Sequence, residues 1–140
     1  MKKGFVIDLA LYPLGLMTAV SGLGFHIAGH DNNHQIWELC AFVHILISAI
    51  FVYLVIQHLY THKAWMKGLR DETLRKKRQI TILLAVLAFA VTATGIMLLG
   101  IMGANTHVGL LHYKLGIVFT LLLIGHSARR LHVLRRVFNK

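Results

Sequence analysis

Apolar residues run through the chain in four long blocks, with most polar residues gathered between them. The blocks are roughly Phe5–Phe25, Trp37–Tyr60, Ile80–Gly103 and Val108–Ser127. Each has about the ~20 residues that a helix needs to cross the hydrocarbon core of a bilayer. The third contains no charged residue, and a run so long and so apolar predicts a membrane span. Short connections force neighbouring helices antiparallel. The pattern therefore predicts an all-α fold over residues 1–140, a single transmembrane domain built as an up-down-up-down four-helix bundle. The only long connection is the charged segment 64–79.

Met1-Lys2-Lys3 followed by apolar residues also fits the start of a signal peptide. Asp8 and Pro13 interrupt the apolar core, however, and the segment is read as the first helix. Composition agrees with this: the chain is 56% hydrophobic and 14% charged, with a mean hydropathy of +0.65, too apolar for a soluble domain of this size.

Charge adds an orientation. Lys2 and Lys3 precede the first block, a run from Lys63 to Arg78 joins the second to the third, and Arg129, Arg130, Arg135, Arg136 and Lys140 follow the fourth. Of 15 Lys and Arg residues, Lys114 alone lies off that side. The positive-inside rule makes the basic side cytoplasmic, with both termini inside. The formal charge of +10 then reflects topology and contact with anionic lipid headgroups, and makes no case for nucleic acid. Trp37 and Trp65, at opposite ends of the second block, fit interfacial aromatic belts. Cys40 is the only cysteine, which excludes an internal disulfide, a covalent Cys-x-x-Cys-His haem site and a cysteine-ligated iron–sulfur cluster.

Within the blocks, four histidines form two pairs of equal spacing. His44 and His58 are 14 residues apart, and so are His112 and His126. At ~100° per residue, 14 steps fall only ~40° short of four turns, so each pair shares one helix face, its members ~21 Å apart. Antiparallel order runs the second and fourth helices the same way, which levels His44 with His112 and His58 with His126. Imidazoles inside a membrane are costly and normally functional. Two layers of paired imidazoles suit two bis-histidine haems, with axial pairs His44/His112 and His58/His126 as iron ligands. Bridging metal ions and a proton relay are the competing uses of such a set.

The two helix pairs look related. Ser21-Gly22 in the first block matches Thr94-Gly95 in the third, and the histidine pairs differ by a constant shift of 68. Gly22, Gly95 and Gly116, the last one turn beyond His112, are candidates for haem clearance, although transmembrane helices also use such residues to pack on one another. Arg129, Arg130, Lys63 and Arg78 are candidate partners for haem propionates, each equally well read as a topology anchor. His26, His30, His34 and His107 gather towards the outer side, as solvated residues, metal ligands or handlers of quinol protons.

This arrangement resembles the haem-binding half of the cytochrome b of respiratory bc complexes: His-x13-His on the second and fourth helices, with glycines on the first and third. The stretch His44-x13-His58-x3-His62-x2-Trp65 is also similar to the small four-helix bacterial b-type cytochromes called flavinylation-associated. The resemblance implies two b haems on His44, His58, His112 and His126, but carries over no quinone site, because the later helices that help build one in the respiratory subunit have no counterpart here. No nucleophile, acid–base pair or nucleotide loop is visible. The expectation is a bacterial inner-membrane electron-transfer subunit of an oxidoreductase complex. It would link the quinone pool or cytoplasmic side to an outer-face partner, a periplasmic c-type cytochrome or flavoprotein, or to other membrane subunits. An autonomous quinol-oxidising cytochrome, with a quinone as further ligand, and a non-redox metal-binding membrane protein are the alternatives.

Overall fold

The computed structural model of the chain describes residues 3–30, 34–64, 72, 73, 78–101 and 106–138, with side chains described from residue 4 to residue 128. Trp65, most of the segment 64–79, the loop residues 31–33 and 102–105, and the Arg129 and Arg130 side chains lie outside the described residues. Four long helices carry the fold: α1 Lys3–Ala28, α2 His34–Thr61, α3 Gln79–Leu98 and α4 His107–Phe138. Each contains a stretch of 20 to 28 residues long and apolar enough to cross a membrane.

The apolar face of each helix points outward. Phe89 is 77% exposed and Phe42 65%, while the buried apolar side chains among the described residues are Ala28, Phe51 and Leu84. In water so continuous an apolar surface would drive aggregation; in a bilayer the lipid tails cover it. These are the features of a multi-pass membrane protein.

α1 packs on α2, α3 on α4, and α1 also reaches α4. Side-chain proximities give the directions. On α1 and α2, Ser21 meets His44 and Asp8 meets His58, so these helices are antiparallel. Thr94 meets His112 and Leu98 approaches Gly109, so α3 and α4 are antiparallel as well. His44 lies beside His112 and Phe51 beside Phe119, which sets α2 and α4 parallel and level.

The ends differ from the apolar blocks in two places. α3 stops at Leu98, where the backbone N–H groups of Leu99, Gly100 and Ile101 each bond the carbonyl three residues earlier, the tight turn that closes many helices. α4 begins where Thr106 Oγ1 accepts a 3.1 Å hydrogen bond from the Gly109 backbone N–H, an N-cap. It continues to Phe138, well beyond Ser127. The segment after Ser127 holds no Gly or Pro and is rich in Arg and Leu, good helix formers. Apolar length had measured the membrane span, not the helix.

Polar groups inside the spans are paired locally. The hydroxyls of Thr18, Thr92 and Thr120 return to the carbonyls of Leu14, Ala88 and Gly116 at 2.8 Å. This keeps backbone and side chain satisfied where no water is present. Among the described residues, Ser48 Oγ is the buried side-chain polar atom without a partner.

Candidate functional site

The site is built on four helix positions that repeat. On α1, Ser21 Oγ donates to its own helix at the Thr18 carbonyl, 3.1 Å away. The same oxygen lies 3.1 Å from His44 Nδ1. On α3, Thr94 Oγ1 lies 2.9 and 3.0 Å from the Ala90 and Val91 carbonyls and 3.0 Å from His112 Nδ1. A hydroxyl has one proton, and in both cases a carbonyl takes it. The hydroxyl is then the acceptor towards the ring, so each imidazole donates its Nδ1–H. That fixes the tautomer and leaves the Nε2 lone pair of both rings available to a Lewis acid.

The glycine next to each hydroxyl makes room for the ring. A Cβ on Gly22 would sit 2.9 Å from His44 Cε1, and one on Gly95 would sit 3.1 Å from His112 Cε1. The neighbour these two glycines accommodate is therefore the imidazole itself. Gly116 differs: a Cβ there would meet nothing within 4 Å.

His44 and His112 face each other across the bundle, ring centroids 6.2 Å apart and planes at 77°. Two imidazoles that ligate one metal from opposite sides, each nitrogen about 2 Å from the ion, place their centroids about 6 Å apart. Beyond this pair, open space lies at Gly116, and Ser48 Oγ is buried without a partner one turn past His44. Ser48 and Gly116 are related by the same shift of 68 that relates the two histidines. The His44–His112 layer thus has two like donors at bis-ligand separation, room beside them and an unfilled polar atom, which fits an iron porphyrin held by both rings.

One heptad further along, Phe51 meets Phe119 at 6.3 Å and 69°, again residues related by 68. A Cβ on Gly15, seven residues before Gly22, would sit 3.2 Å from the Phe51 ring and 3.0 Å from Leu123. Phe51, 5% exposed, fills the midplane between the histidine layers.

The second layer is built differently. His58 Nδ1 lies 2.7 Å from Asp8 Oδ1, and His62 Nε2 lies 3.4 Å from Asp8 Oδ2. The two rings are 4.7 Å apart between centroids. His126 is half-buried on α4. Sequence reasoning treated Asp8 only as an interruption of an apolar block. The signal for its role was available: it lies 13 residues before Ser21, as His58 lies 14 after His44 on the antiparallel neighbour.

The remaining histidines do not form one cluster. His26 stacks on Tyr113 at 3.7 Å and 15° and meets His30 edge-on at 5.1 Å. His34 instead pairs with Glu38 at 3.4 Å, both side chains well exposed, and lies edge-on to Trp37. His107 is exposed at the start of α4, and Lys114 is exposed within it. No family model, curated protein or solved structure matches this chain.

Proposed function

We propose that this chain is a dihaem b-type cytochrome of the bacterial inner membrane, an electron-transfer subunit whose termini lie in the cytoplasm. The observation that carries the reading is the His44–His112 pair: two imidazoles at bis-ligand separation, each held at Nδ1 by a hydroxyl whose own proton is committed elsewhere. His58 and His126 would be the axial ligands of the inner haem, and Gly116 would give the outer porphyrin its room. Arg129 is a candidate partner for an inner propionate. Haem iron with both axial positions filled supplies reversible one-electron transfer without an open position for oxygen or substrate.

The protein's part is to orient the ligands, to exclude water and to space two carriers across the bilayer. Electrons would pass between the quinone pool or cytoplasmic side and an outer-face partner, a c-type cytochrome or flavoprotein, or further membrane subunits. Anionic headgroups would hold the basic face.

The test is a reduced-minus-oxidised spectrum of the detergent-purified chain from haem-sufficient cells, with haem quantified as pyridine haemochrome. About two low-spin b haems per chain are expected, and a haem-free chain would sink the reading. A specific observation favours a second one: Asp8, His58 and His62 bring three ligand atoms within 4.8 Å of one another, a group able to hold a metal ion. A colourless, stable protein that binds zinc would select it.

Removing the ring acceptors should weaken the outer site without erasing it. Partners that orient a metal ligand are typically worth 10–100-fold in affinity. In Ser21→Ala combined with Thr94→Val, haem loss from the outer site to apomyoglobin should accelerate by a factor in that range. Unchanged loss kinetics would show that the hydroxyls do not hold the ligands.

A further inference from the structure

We infer that Asp8 is a positioning residue for His58 that makes the cytoplasmic-side haem the harder of the two to reduce, so that electrons rest on the outer one. The inference depends on the dihaem reading and adds to it a direction of flow.

The two layers orient their histidines with different chemistry. In the outer layer both Nδ1 groups meet neutral hydroxyls, at 3.1 and 3.0 Å. In the inner layer His58 Nδ1 meets a carboxylate oxygen at 2.7 Å. A carboxylate only accepts, so His58 donates its Nδ1–H and presents Nε2, as the outer rings do. Hydrogen bonds to an ionised acceptor are shorter and roughly twice as strong as neutral ones. The stronger bond pulls the proton away from the ring and gives the imidazole anionic character. A more basic ligand stabilises the ferric over the ferrous state.

Asp8 also brings its own negative charge, which favours the more positive ferric iron. The Asp8 side chain is only 32% exposed, so water screens this charge incompletely. His62 is the second group on the carboxylate, at a longer 3.4 Å, while the Lys63 ammonium lies over the Tyr60 ring, 5.0 Å from its centroid.

The asymmetry is written into the helix register. Ser21 corresponds to Thr94, and 13 residues earlier Asp8 on α1 corresponds to Thr81 on α3. Three of these four positions hold hydroxyl side chains, and only Asp8 is ionisable. Among these matched positions, the one carboxylate separates the two haems in potential. Transfer from the cytoplasmic to the outer haem is then downhill.

The experiment is an optical redox titration of the purified, haem-loaded full chain, as wild type, Asp8→Asn and Asp8→Glu. Two components are expected in the wild type. Asp8→Asn should ease reduction of the lower component at least tenfold, a rise of about 59 mV for a one-electron couple. It should leave the upper component in place, and Asp8→Glu should keep the lower component low. In a His112→Ala background, which removes the outer haem, the single remaining component should move by the same amount with Asp8→Asn.

Should Asp8→Asn not retain the inner haem, Asp8→Glu decides, because a carboxylate-set potential stays low in that variant and a purely steric role does not. Two haems whose lower component ignores Asp8→Asn, or whose components shift together, overturn the inference and leave the dihaem reading standing. A wild-type chain without two haems overturns that reading first.

Discussion

His112→Ala is expected to halve the haem content, from about two b haems per chain to about one, and to abolish one low-spin component while the other stays. The imidazole is one of two that face each other at 6.2 Å, and alanine leaves His44 with nothing opposite it. Single-imidazole ligation would leave the outer haem five-coordinate, high-spin and readily lost. The inner site should survive, because the layers are ~21 Å apart along the helices. Between them Phe51 packs against Phe119 and closes the midplane. His44→Ala should give the same product as His112→Ala, and His58→Ala the complementary one. Pyridine haemochrome stoichiometry together with the spectrum of the remaining haem measures this. Equal loss of both components on each change would mean that the histidines do not form two layers.

Gly22→Leu should remove the outer haem nearly as completely, with every candidate ligand still present. A Cβ at this position would lie 2.9 Å from His44 Cε1, closer than real side-chain contacts allow. The ring cannot simply yield, since Ser21, the adjacent residue, holds its Nδ1. Moving the imidazole breaks that bond and changes its placement against the His112 ring, 6.2 Å away between centroids. Forcing extra carbons into a filled site typically costs about 1–3 kcal/mol, enough to lose a site without unfolding the bundle.

Gly24→Leu is the matched control. It adds the same side chain two residues away, where nothing lies within 4 Å, and should retain both haems. Circular dichroism should show equal helix content in the two variants. Two haems in Gly22→Leu would show that the glycine is a packing residue with no bearing on the ligand.

Much of this arrangement is legible in the sequence because two periodicities coincide there. Apolar blocks report what must face lipid, and their lengths gave the four spans. The 14-residue spacing predicts that His44 and His58 share one face, and the parallel run of α2 and α4 brings His44 beside His112. The glycines at 22 and 95 were also legible as places where small residues matter. What they make room for was not: the group against both is an imidazole, whereas Gly116, the third candidate, opens onto space. The Phe51–Phe119 contact was missed, although the shift of 68 that relates the histidines also relates these rings. The outer histidines, close together in sequence terms, are divided between a stack on Tyr113 and a pair with Glu38.

The sequence by itself determined that the chain has four apolar helices long enough to span a membrane, that its histidines recur at a fixed spacing on the second and fourth, and that the α1–α2 and α3–α4 connections lack Lys and Arg. Each of these follows from local periodicity or from the cost of placing charge in lipid. Tertiary structure decided which atom holds each ring. Ser21 accepts from His44, Thr94 from His112 and Asp8 from His58 because antiparallel packing brings residues 18 to 50 positions apart within hydrogen-bonding distance. A hydrogen bond depends on a few tenths of an ångström and on the direction of a single proton. Those are set by how one helix rotates against its neighbour, and no spacing along one strand of sequence encodes that.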